Sequence, residues 1–121
     1  MKTITLTTGS KGLRLRNDGS GSCSLSLLGT AEVVLGKGSA AEVAGKLGAA
    51  VGTLPAAKPS THLQGIAAAR VLVLDPPGAT ISVGQSHAGR VLFFQDHEGC
   101  LVEQLVLTAR DRKRWVAQLH A

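Results

Sequence analysis

From Met1 to Gly38 the chain alternates apolar and polar side chains with a period of two, in short segments cut off by Gly, Ser, Asn and Asp. Successive side chains of a strand point to opposite faces, so segments of this kind bury one face and pair as half-exposed antiparallel strands. Ile4 and Leu6 share a face opposite Thr3, Thr5 and Thr7. Leu13 and Leu15 sit between Arg14 and Arg16, and Leu25 and Leu27 lie among Ser22, Ser24 and Ser26. The joints are Thr8-Gly9-Ser10-Lys11-Gly12 and Asn17-Asp18-Gly19-Ser20-Gly21. The Asp-Gly pair of the second supplies positive φ at little cost and predicts a hairpin. Ala31 to Leu35 extends the meander.

Ser39-Ala40-Ala41-Glu42 has the form of a capping box, so a helix is expected to begin at Ala40. Val43, Leu47, Ala50, Val51 and Leu54 fall on one helical face, and Glu42 precedes Lys46 by one turn. Pro55 stops this helix, which is expected over Ala40 to Leu54. Gly45 and Gly48 weaken it by roughly 1 kcal/mol each relative to Ala, so it must lean on packing or permit the close approach of a neighbour. Pro55 to Ser60 reads as an extended connector. Beyond it, Ala69 to Leu74 forms a strand, Pro76-Pro77-Gly78 a turn, and Thr80 to Val83 and Arg90 to Gln95 two further strands. Gly99 breaks the last of these, and Leu101 to Thr108 returns. Thr108 or Asp111 caps a closing helix on which Trp115, Val116 and Leu119 share a face. Runs of strands without strict strand–helix alternation define an α+β fold, a predominantly antiparallel sheet with a mid-chain helix and a C-terminal helix. A chain of 121 residues is expected to form one domain, 1–121, and no repeat with matched signatures marks a solenoid.

Aromatic residues are only 2% of the chain, namely Phe93, Phe94 and Trp115. Base-stacking platforms and aromatic cages are thereby excluded, and the core must be built from Leu, Val, Ala and Ile. A net charge of +5 favours anionic partners. Met1 to Thr5 lacks the apolar stretch of a signal peptide and no run is long enough to span a bilayer, so the expectation is a soluble, cytoplasmic protein. Cys23 and Cys100 lie in no CxxC spacing and are expected as two reduced thiols.

Residues with site chemistry are scattered. His97 and Cys100 stand three apart on a turn, too few for a closed zinc site, which takes about four ligands. Asp96 and Glu98 flank His97 and read as a solvated acidic turn. No nucleophile elbow or phosphate-cradling loop is present, and Gly36-Lys37-Gly38-Ser39 reads as a strand-to-helix turn. Arg110-Asp111-Arg112-Lys113-Arg114 sets four bases against one acid where positive charge opposes the helix dipole. Its ordinary meaning is a solvated face around a Trp that locks the helix to the sheet. Nucleic-acid binding through this basic helix is the further alternative, disfavoured by the missing aromatics. His62, beside the connector and ahead of a strand, is either an exposed loop residue or a single axial ligand.

The run Arg90-Val91-Leu92-Phe93-Phe94-Gln95-Asp96-His97-Glu98-Gly99, followed by Leu101 to Thr108 and then Trp115, resembles a stretch of the cytosolic haem-utilisation proteins, which include haem-degrading factors and haem carriers. The resemblance spans roughly residues 70 to 119, with Ala79 to Gly84 in the place of the preceding strand. Where that family shows a His-Lys pair, this chain has Glu103-Gln104. The resemblance implies a large antiparallel sheet that handles haem, as a carrier or in its breakdown. Haem needs an apolar slot, an axial ligand and cations near its propionates. His62 is then the candidate iron ligand, and Arg90 and Arg110 are the candidate propionate partners. From a different class, a non-enzymatic β-rich interaction module would assemble into a homo-oligomer through its sheet edges.

Overall fold

The computed structural model describes residues 2–52, 59 and 61–120. The N-terminal alternation becomes a four-stranded antiparallel meander of β1 (Lys2–Thr8), β2 (Lys11–Asn17), β3 (Ser22–Leu28) and β4 (Glu32–Ser39), in that order across the sheet. Register aligns the leucines: Leu6 faces Leu13, Leu13 faces Leu27, and Leu15 faces Leu25. All five are buried, while Thr3, Arg16, Ser24 and Lys37 cross the opposite face as a row. β4 runs on to Ser39, so Gly36-Lys37-Gly38 lies within the strand rather than in a turn. Gly36 sits at φ +146° next to a bulge, and a Cβ there would lie 2.3 Å from Asp75 O, which explains the glycine.

α1 (Ala40–Val51) begins where the capping pattern predicts, but the cap is one-sided. Ser39 Oγ accepts from Glu42 N–H at 3.4 Å, whereas the Glu42 carboxylate turns to Lys46 Nζ at 2.8 Å. The helix ends at Val51, short of the expected Leu54, because Gly52 N–H closes it on Gly48 O; Leu54 and the expected connector lie largely outside the described residues.

A second antiparallel meander follows: β5 (Thr61–Leu63), β6 (Ile66–Val73), β7 (Thr80–Ser86), β8 (Gly89–Gln95) and β9 (Leu101–Leu107), closed by α2 (Ala109–Leu119). β5 and the early start of β6 depart from the sequence reading. They pair through Gln64-Gly65, whose φ values of +51° and +76° are those a two-residue hairpin turn needs. One face of this sheet joins the core shared with the first sheet and both helices, through Ile81, Leu92, Phe94 and Leu105. The other face is buried in part, by the sheet's own side chains. Ala68, Val91 and Phe93 form a second apolar cluster beneath Leu63, Ile66, Leu101 and Val106. Gly84 permits that cover, since a Cβ there would lie 2.7 Å from Ile66 Cγ2 and 2.9 Å from Ala67 O.

α2 opens with a complete capping box between Thr108 and Asp111. Trp115 is fully buried, and its Nε1 donates to Thr7 O at 2.9 Å. The indole therefore locks α2 to β1 of the first sheet rather than to the ribbon that precedes it. Arg114 Nη2 reaches the same carbonyl at 2.5 Å and Gln118 Nε2 reaches Thr5 O at 3.5 Å, so α2 covers the edge of β1.

A candidate anion-binding groove between the two helices

The last carbonyls of a helix lack intrahelical donors and carry partial negative charge. α1 has no basic residue in its final turn. Two distant arginines supply the donors instead. Arg90 of β8 donates through Nη1 to Ala50 O at 2.6 Å and to Gly52 O at 3.1 Å. Arg112 of α2 donates through Nε to Val51 O at 2.9 Å and through Nη2 to Gly52 O. Burial, and then the charge of Arg112, hold the Arg90 guanidinium below its ordinary pKa. The two cations are thus spent on one helix end.

Beside this junction α1 and α2 leave a groove of about 520 Å³. Gly48, Ala49 and Gly52 form one wall and Ala109, Val116 and Ala117 the other, with Arg112, Lys113 and His120 as its polar groups. Small side chains keep the helices from filling the gap. Gly48 has a further role, because a Cβ on it would stand 3.2 Å from His120 Nε2: the imidazole lies over the glycine. Gly45, by contrast, meets nothing. An apolar slot with cations at one side accommodates a small anion with a hydrophobic body.

The residues singled out from sequence are not brought together there. His62 is exposed on β5, opposite Ala67, and lies outside the groove. Arg90 is committed to the α1 carbonyls and Arg110 is exposed in the first turn of α2, so neither is placed to hold a propionate in this groove. The polar side chains that do line it are Arg112, itself engaged by the α1 carbonyls, Lys113 and His120. The signal was present in spacing alone: Ala109, Lys113, Val116, Ala117 and His120 recur at three and four residues along one helical stripe.

The basic run is in part the solvated face expected, with Arg110, Lys113 and Arg114 exposed around the buried Trp115. Arg112 holds α1, and Arg114 holds Thr7 and Asp111. Burial on its own would raise the Asp111 carboxyl, but hydrogen bonds from Thr108, Thr8 and Arg114 outweigh it and leave the group below the usual aspartate range. At the β8–β9 turn Asp96 Oδ1 accepts from Glu98 N–H and Cys100 N–H, both at 2.9 Å, and His97 and Glu98 are exposed. Among the described residues no three His, Cys, Asp or Glu side chains are grouped to hold a metal. Cys23 and Cys100 are free; Cys23 is buried, which pushes its thiol pKa up, and Cys100 is exposed.

Among the described residues no helix is long and apolar enough to cross a membrane. The fold defines the chain as an α+β protein of two antiparallel sheets and two helices. Comparison with known proteins finds no matching family model, curated protein or solved structure.

Proposed function

We propose that this protein binds a small, carboxylate-bearing apolar molecule in the α1–α2 groove, and that its ligand is haem, carried or passed on in the cytoplasm. The groove carries the reading: Arg112 and Lys113 stand beside apolar walls of a size that suits such a ligand, and the sequence resemblance supplies its identity. Lys113 makes no ion pair among the described residues and is the free cation for a propionate, whereas Arg112 is engaged by the α1 carbonyls. His120 replaces His62 as the imidazole, because it lines the groove and His62 does not. Bound haem would supply iron-centred chemistry; the chain's own contribution is to hold the carboxylates, exclude water with Val116 and Ala117, and present one imidazole nitrogen.

Titration of the protein with hemin tests this. The Soret band is expected to shift at micromolar protein, to lose that shift in His120→Ala, and to keep it in His62→Ala. Lys113→Glu weakens binding in either background. An unchanged visible spectrum in the unmodified protein removes haem as the ligand.

A second reading, self-association, is favoured by the exposed Val33 and Val102, which line a cleft of about 390 Å³ together with Lys11 and Glu103. Light scattering that reports a monomer at all concentrations removes it.

A further inference from the structure

The outer face of the first sheet is polar and cationic in a way the groove does not use. Thr3, Arg16, Ser24 and Lys37 form one row in register, and Thr5, Arg14 and Ser26 form the next. Arg14 and Arg16 both reach the single carboxylate of Glu32, Nη1 to Oε1 at 2.7 Å and Nη1 to Oε2 at 2.5 Å. The Arg16 hydrogen bond is the main reason that the Glu32 carboxyl is held below its usual range. Two guanidinium groups on one carboxylate form an anion clamp with an internal anion in it. At the end of the Arg16 row lies a cavity of about 210 Å³ between Arg16 and Lys37, with Asn17, Ser22 and Ser24 as polar walls. Asp18 also lines it, but its carboxylate is engaged by Ser20 N–H at 2.8 Å, Ser20 Oγ at 2.7 Å and Ser22 N–H at 3.3 Å. The Lys37 ammonium has no ion-pair partner among the described residues.

We infer that this face binds the sugar–phosphate backbone of single-stranded nucleic acid, with one phosphate between Arg16 and Lys37 and a neighbouring phosphate taking the place of Glu32 on Arg14. Arg, Lys, Ser and Thr are among the side chains that contact phosphate and sugar, and they make up the two rows, in which Ser26 alone is buried. Four strands span about 14 Å, enough for an extended strand to cross the face. Without aromatics the face cannot stack bases, so binding is directed at the backbone and tolerant of sequence. A lipid surface is the poorer fit, since headgroup recognition by charge takes clusters of about 4–8 Lys or Arg and this face offers three. Glu32 competes with the ligand, and its displacement is part of binding. None of the groove residues takes part, so the inference stands or falls apart from the haem reading.

Fluorescence anisotropy of a labelled oligothymidylate with the full chain, over a series of KCl concentrations, tests it. Three cations on a single strand predict a slope of log affinity against log salt of about −2. Arg16→Gln and Lys37→Gln each reduce the slope by about 0.7. Glu32→Gln tightens binding, and Lys46→Gln on α1 leaves it unchanged; circular dichroism establishes that each variant is folded. Any of three results overturns the inference: no anisotropy change at low salt, slopes unaltered in folded Arg16→Gln and Lys37→Gln, or tighter binding to phosphatidylserine vesicles than to the oligonucleotide.

Discussion

The two sheets share a plan, an antiparallel meander closed by a helix, yet the first buries one face and the second buries one face and a patch of the other. In β2 and β3 Arg14, Arg16, Ser22 and Ser24 stay partly exposed between buried neighbours, whereas in β8 the run Val91, Leu92, Phe93 and Phe94 is buried without interruption. A sheet covered on both sides gives up its surface to packing. The first sheet keeps an open polar face, and the second commits its residues to packing and sends Arg90 to the α1 end.

Phe93→Ala should break this contrast most severely. It empties the second cluster and is expected to cost about 3–5 kcal/mol in urea unfolding; a loss as small as that of a surface substitution means the far face is not closed. Gly84→Val forces a side chain against Ile66 and Ala67 O, for an expected loss of about 1–3 kcal/mol, measured the same way. Arg112→Met leaves Val51 O without its donor and should cost about 1–3 kcal/mol in thermal unfolding.

Asp111 gives a pH signature. Its carboxyl is depressed in the folded state, so its stabilisation is complete above the ordinary value near 3.9 and is lost as pH falls through the lower folded value. Asp111→Asn should flatten the acid limb of the melting temperature against pH, and an unaltered limb contradicts the assigned hydrogen bonds. The smallest effect belongs to Thr3→Ala on the open face, expected within about 0.5 kcal/mol of the unmodified protein by urea unfolding.

The first sheet was legible because period-two alternation is the direct imprint of one-sided burial. The second was legible only in part. Val91 to Phe94 is a continuous apolar run, the mark of burial on both sides, but the run does not say which residues meet its second face, and Gln64 at positive φ has none of the turn chemistry that would have betrayed β5. The groove shows the same division. The stripe through Lys113, Val116 and His120 is periodic and readable, but Arg90 meets a carbonyl 40 positions away, and no local pattern encodes that meeting. His62 drew notice by its neighbours in sequence, whereas His120 owes its place to Gly48 on another helix.

The indole bond between Trp115 and Thr7 joins residues separated by 108 positions, and it sets an order of events during synthesis. β1 keeps the Thr7 carbonyl without these donors until α2, about a hundred positions later, has been made, so a product cut between them presents it to any neighbouring polypeptide. Docking of α2 is thus the step that makes the edge of β1 safe.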